Sequence, residues 1–385
     1  PVAGIRMRMK KRSRRAAPTD TPAALPARTF DTRATNACKG VALLLMLWHH
    51  LFANNPDYGP LVRSSALAAK VCVSMFLVLS GYGLAESVRC RGAYLLSFYR
   101  SHLSRLYLNY WLVAAIFVPF GVFVMHYTIE EAFSSHAYAM FALQMAGLNL
   151  WFSPETGYNA TWWYMCVIVP LYVAFPILYR LTRRLGPWVF AACLCAVIAI
   201  PYRELLTGAH FSLLFIMWGT PFVFGMYLSH ADGMERLGRF LRGMGALRFY
   251  VLALAIGALA LFRQLGLLMH DVKIDWLLAT LIILLTAECA AASLPVRAVL
   301  EYLGSHLFNI FLFHTFIYLY FWHDELYALR NPLLIWAALL ASSLAISVLL
   351  EGFKKVIRFR RLEEIIARIP AGERFAIELP QPHSP

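Results

Sequence analysis

Two adjacent histidines, His49 and His50, sit inside an apolar run, LLLMLWHHLF. A neutral imidazole can take a proton from a hydroxyl near neutral pH, and it can also carry an acyl group as a nucleophile. Ionisable groups within a membrane span are costly, so they mark functional positions by default. Lys39 precedes His50 by eleven residues. In a helix that spacing is about 16 Å, at about 1.5 Å per residue. Lys39 would then stand at one interface and His50 near the bilayer centre, where a reagent entering from the lysine side would meet it. The bland alternative is a pair of packing histidines bonded to neighbouring helices. A tandem pair at mid-depth favours chemistry.

Other polar residues fall in comparable positions. Ser80, Gly81, Tyr82 and Gly83 form an SGYG stretch whose small residues admit a second helix or a thin ligand. Glu86 follows near the inner end, within reach of Arg89. Arg100 and Arg105 stand at the mouth of the next span, and planar guanidinium forks suit phosphate oxygens. Asn109 lies one turn deeper. Trp162, Trp163 and Tyr164 fit an outer-interface aromatic belt. Asn309 and His314 lie inside LFNIFLFHTFIYLYF, the latter a second intramembrane imidazole. The seven cysteines form no C-x-x-C pair and read as small packing residues, so no metal site is expected.

These residues must be positioned by helices. The chain is 60% hydrophobic and 15% charged, against about 25% charged for soluble domains. Its apolar blocks approach the roughly 20 residues that cross a bilayer. Ten spans are predicted, at 37–54, 66–87, 106–126, 162–181, 187–201, 211–229, 248–263, 274–294, 303–322 and 332–352. The stretch 136–152, in the longest outer loop (127–161), reads as a re-entrant or capping segment. With the N-terminus inside, only Arg63, Lys70, Arg203, Arg263, Lys273 and Arg330 of the 35 Lys and Arg fall outside. That asymmetry follows the positive-inside rule. The net charge of +14 is therefore a topology signal, and no nucleic-acid partner is expected. The reading is all-α: a polytopic membrane bundle of about ten transmembrane helices with both termini cytoplasmic.

Residues 1–35 form a basic leader without an apolar core, expected to be a disordered cytoplasmic segment touching anionic lipid. Residues 36–353 hold the bundle, and 354–385 a basic cytoplasmic tail. No separate soluble domain is expected, so the bundle itself carries any chemistry.

The combination of motifs resembles the acyltransferase-3 family of integral-membrane acyltransferases over most of residues 33–352. Lys39-(x10)-His50 is similar to the family's basic–x10–His, which singles out His50 rather than His49. FLVLSGY at 76–82 resembles FFVLSGF, and Arg100 with RLYLNYW resembles RRxxRIxPxYW. WWYM and LFNIFLFH resemble the WYLSxE and FGIYLLH segments. The chain departs at Ser74, Asn109 and Met165–Val167, where the family often has an acid, a proline and a glutamate pair, so it reads as a divergent branch. The SGNH hydrolase-like domain fused to some members is not expected here.

The resemblance implies cytoplasmic acyl-CoA, most commonly acetyl-CoA, as co-substrate, with no permanently bound cofactor. It implies a glycan or glycolipid hydroxyl as acceptor and a bacterial inner or plasma membrane as location. His50 would be the base or acyl relay, with His49 as a second catalytic residue. Lys39, Arg100, Arg105, Ser80 and Tyr82 would serve the donor. Glu86, Asn109, Trp163, Tyr164, Asn309 and His314 are candidates for the cavity wall. The rival readings are a secondary transporter or flippase of envelope precursors, which would show internal repeats, and a non-catalytic scaffold. The sequence shows no such repeat, and the scaffold reading leaves the placement of the histidine pair unexplained.

Overall fold

The computed structural model describes residues 30–199, 211–264, 272–368 and 376–378. Each predicted span corresponds to a helix: α1 (Thr32–Phe52), α2 (Cys72–Arg91), α3 (Leu95–Phe123), α4 (Met165–Leu185), α5 (Pro187–Ala199), α6 (Phe211–His230), α7 (Leu247–Gln264), α8 (Asp275–Ala292), α9 (Leu294–Thr315) and α10 (Pro332–Val356). Seven helical stretches among the described residues are long and apolar enough to cross a membrane. α1 and α9 are as long, at 21 and 22 residues, but carry the histidines and other polar side chains. α5 has 13 described residues.

Several helices overrun the predicted spans at their basic ends. α2 continues to Arg91, α3 begins at Leu95, α9 begins at Leu294 and α10 runs to Val356. Hydropathy marks only the hydrocarbon-facing part, whereas a helix continues while its backbone bonds are satisfied. α1 likewise starts inside the predicted leader, capped by Asp31, which accepts from the Ala34 amide at 2.9 Å. The leader before residue 30 lies outside the described residues, as does Arg203.

The basic segments gather at one end of the bundle. The Phe30 amide donates to Glu235 at 3.1 Å, and Arg89 pairs with Asp232 at 3.1 Å. Arg242 and Arg248 both reach Glu288, at 3.1 and 2.9 Å. The tail returns to the same end through helix α11 (Phe359–Arg368) and strand β2 (Ala376–Glu378), which pairs antiparallel with β1 (Ala93–Tyr94). Both ends of the described chain thus share the basic face, as an even number of crossings requires.

The predicted re-entrant segment is a helix, Ala137–Met145, whose end reaches well below the outer surface. Tyr107, Tyr110 and Trp111 of α3 donate to the carbonyls of Ala146, Gln144 and Met145 at 2.7, 2.9 and 2.9 Å. Tyr110 lies thirteen residues from the outer end of α3, about 20 Å at the helical rise. Irregular backbone at such depth needs internal partners. Gln144 supplies more, accepting from the Tyr158 amide at 2.9 Å and donating to the Thr156 carbonyl at 2.8 Å.

Two pairs of glycines set helix contacts. A Cβ on Gly40 would lie 2.2 Å from the Leu300 carbonyl oxygen, and one on Gly304 would lie 1.9 Å from that of Asn36. α1 and α9 therefore touch backbone to backbone. Gly81 and Gly225 do the same for α2 and α6, where a Cβ would meet the carbonyl oxygens of Phe222 and Val78 at 2.0 and 2.1 Å. Small residues permit this close packing between membrane helices.

Candidate active site

A cavity of about 1260 Å³ enters the bundle from the basic end. Along α2 its lining runs from Arg91 through Ser87, Leu84, Gly83, Ser80 and Leu79 to Phe76, one face of the helix. Fifteen residues make this about 22 Å deep. α1 contributes Thr32, Thr35, Asn36 and Lys39, and α9 contributes Gly304 to Phe311 on its cavity-facing side. Tyr164 closes the deep end with Phe76 and Phe311, its ring centroid 6.3 and 5.4 Å from theirs.

One helical turn past Phe311 stands His314, fully buried. Its Nδ1 lies 2.9 Å from the Ile310 carbonyl oxygen and 3.2 Å from that of Phe311. A carbonyl can only accept, so Nδ1 carries the proton of the neutral ring. Nε2 is then left with a lone pair, buried and without a hydrogen-bond partner. The His50 and His314 rings lie side by side, their centroids 5.0 Å apart and their planes tilted by 50°, and Tyr318 lies 6.2 Å from His50 and 5.9 Å from His314. Tyr318 belongs to a π-helical turn, Phe316–Phe321, that continues α9. Such turns often accompany functional positions.

His49 takes a different direction. Its Nδ1 is 2.9 Å from the Ala66 carbonyl oxygen, so it ties α1 to the helical connector Gly59–Ala68. On α1 the cavity face of residues 32, 35, 36 and 39 leads on to position 50, eleven residues and three turns past Lys39. Between them Leu43 and Met46 are packed shut, exposed by 0% and 2%. The imidazoles thus sit just beyond the closed apex of the cavity.

Of the sequence-predicted residues, Lys39, Ser80, Arg105, Asn109, Tyr164 and Asn309 line the cavity, and His50 and His314 meet above it. The SGYG stretch divides its labour: Ser80 and Gly83 face the cavity, Gly81 the α6 backbone, and Tyr82 the Phe30 ring at 5.2 Å. Arg100 lies outside the lining, on the same helix as Arg105. Glu86 is held by Arg89 at 3.0 Å and by the Ser229 hydroxyl at 2.9 Å, in a contact between α2 and α6. Trp163 is half-buried, 5.7 Å from Trp218.

The aromatic-belt reading of Trp162 and Tyr164 is corrected. Trp162 is fully buried, donating Nε1–H to the Leu312 carbonyl at 2.8 Å and meeting Tyr110 edge-on at 4.9 Å. The chain before α4 dips to the level of the histidines, so these rings pack inside the protein. Thr161 and Thr315 arrive with them, their hydroxyls 2.9 Å apart, with Asn159 accepting from Thr161 at 2.7 Å. Sequence reasoning missed this polar cluster; Thr315, immediately after His314, was its one available signal.

Asn309 belongs to a second network. Its side chain donates to Ser347 at 3.1 Å and Glu351 at 2.8 Å, and accepts from the Lys354 ammonium at 2.8 Å. His306 Nδ1 lies 2.8 Å from the same Ser347 hydroxyl. Among the described residues no cluster of His, Cys, Asp or Glu could hold a metal ion.

Fold and site together define a polytopic helical membrane protein with an imidazole pair at the head of a basic-mouthed cavity. Residues 33–352 match the acyltransferase domain of the acyltransferase-3 family, most of the chain, and the protein belongs to that family. No curated protein and no solved structure is matched by the chain.

Proposed function

We propose that this protein is a membrane O-acyltransferase that takes an acyl group, most simply acetyl, from cytoplasmic acyl-CoA and passes it to a hydroxyl of a cell-surface glycan or glycolipid. One observation carries the reading: a cavity with a cationic mouth ends one helical turn from His314, whose ring meets that of His50. The phosphate-bearing head of the donor stays at Lys39 and Arg105, and its thin pantetheine arm follows the Ser80–Gly83 face inward. Phe76, Tyr164 and Phe311 close the apex, so they turn aside for the thioester to reach the imidazoles.

His50 removes the proton of the acceptor hydroxyl. The oxygen attacks the thioester carbonyl, the C–S bond breaks, and the thiolate leaves as CoA–SH with the proton from His50. The unpartnered Nε2 of His314 supports this by accepting an N–H from His50 as it becomes cationic. In the covalent variant His50 itself takes the acyl group and hands it on. Either route carries the acyl group across while CoA remains on its own side, the inner face of a bacterial plasma membrane.

The test is label transfer from acetyl-CoA labelled in the acetyl group, in proteoliposomes, with wild type beside His50→Ala. CoA release or acetyl incorporation that requires His50 supports the reading. Equal transfer by a folded His50→Ala protein overturns the mechanism. Transport of a substrate without any acyl-CoA dependence would favour the transporter reading.

A further inference from the structure

Much of the cavity mouth is built by residues beyond the family-matched stretch 33–352. Lys354, Lys355, Arg358, Arg360 and Arg361 line it, opposite Lys39, Arg91 and Arg105 from the bundle. The tail reaches this place by a sharp corner. α10 ends at Val356, and Arg358 adopts the left-handed region with φ 52°. A non-glycine residue holds that conformation only when its surroundings support it. α11 consequently lies across the mouth rather than leading away from it.

Independent contacts fix that course. Phe359 is buried, with the Lys354 ammonium 5.6 Å from its ring centre. Asn109 donates to Glu363 at 3.2 Å, a bond that the proline common in the family at this position could not make. Farther on, β2 pairs with β1, and Arg180 donates to the Ala376 carbonyl at 2.6 Å. A basic tail serving only as a lipid tether would point its cations at the bilayer surface. Here they surround a cavity, and α11 leaves Leu362 and Ile365 exposed on another face.

We infer that the corner from Lys354 to Glu364 is a phosphate clamp, the part of the donor site that recognises the polyphosphate head of a nucleotide. The inference rests on the acyl-CoA reading for the identity of that nucleotide. The cations outnumber the carboxylates around the mouth, and Arg358, Arg360 and Arg361 are themselves exposed enough to close on an arriving anion. Guanidinium forks bind phosphate bidentately.

The experiment is isothermal titration of the full chain in detergent with CoA and with adenosine 3′,5′-bisphosphate. Wild type is compared with the triple variant Arg358→Gln, Arg360→Gln, Arg361→Gln, after thermal unfolding shows both to be folded. The expected result is affinity for both probes weakened about ten-fold or more, with a steeper loss as salt is lowered in the comparison. Turnover of acetyl-pantetheine, which lacks the nucleotide phosphates, is expected to change less than two-fold or so, for the same electrostatic reason.

Equal CoA affinity in the two proteins overturns the clamp and leaves the acyl-CoA reading standing. A variant that loses only binding to anionic phosphatidylglycerol vesicles, with CoA affinity intact, also overturns it, in favour of a lipid tether. Binding of both probes that depends on the three arginines, without acetyl transfer by wild type, keeps the clamp and removes the acyltransferase reading. Failure of wild type to bind either probe removes both.

Discussion

Gly40 and Gly304 bring α1 and α9 into backbone contact, and each stands ten residues before the histidine that its helix contributes to the candidate centre. Both helices run from the basic end outward. Two parallel helices fixed at one level therefore present His50 and His314 at one level again, about 15 Å farther on. The 5.0 Å separation of the rings follows from that register.

Gly304→Ala should therefore act at a distance. Its Cβ would fall 1.9 Å from the Asn36 carbonyl oxygen, which is backbone and cannot rotate away. Overpacking of this kind costs about 1–3 kcal/mol. The expected outcome is a lowered thermal midpoint together with loss of acyl transfer, while Gly83→Ala, whose Cβ meets nothing within 4 Å, leaves the midpoint unchanged. Unaltered stability and transfer in Gly304→Ala would show that the helices are not held at this crossing.

The two neighbouring histidines should separate in their effects. His314→Ala removes the buried acceptor beside His50, and a contribution to acid–base catalysis corresponds to about 10²–10⁴ in rate. Its expected signature is a fall in kcat with the KM for acyl-CoA little changed, since His314 lies beyond the cavity lining. His49→Ala should instead leave kcat within about ten-fold and lower stability by about 1 kcal/mol, the worth of its bond to Ala66. A His49 variant as inactive as the His50 variant would reassign the base.

Depth and sidedness were legible in the sequence because they are written in hydropathy and in the placement of Lys and Arg. The eleven-residue interval from Lys39 to His50 puts both residues on one face of α1, and the cavity reaches Lys39 but stops short of His50. His314 could be suspected as an intramembrane imidazole, but its pairing with His50 depends on glycines 264 residues apart in the chain. Trp162 was misread because an aromatic run before a span looks the same at an interface as at the end of a dipping loop. Charge counts read the basic tail as topology and do not show that Arg358 turns the chain back across the mouth.

The dipping loop should be sensitive to Gln144. Its side chain accepts from the buried Tyr158 amide and donates to the carbonyl of Thr156, a residue at the surface. Gln144→Leu keeps the volume but strands the buried Tyr158 amide, and a buried polar group left unpaired costs about 1–3 kcal/mol. Thermal unfolding in detergent should register the loss, and proteolysis of the 127–161 loop should quicken. A variant as stable and as protected as wild type would mean that the loop draws its order elsewhere.

The clamp makes one prediction of opposite sign. Glu363 lines the cavity among cations and accepts from Asn109. A carboxylate there offsets part of the field that an arriving phosphate group needs. Glu363→Gln retains an acceptor oxygen for Asn109 while removing the charge, so the affinity for CoA should rise by about three- to ten-fold. Two charges near a protein surface interact at short range by a few kcal/mol before screening, and salt should erase the gain. Titration of CoA into wild type and variant at low and high salt decides it. Weaker binding in the variant would instead place Glu363 among the groups that hold the donor, with its bond to Asn109 secondary to that role.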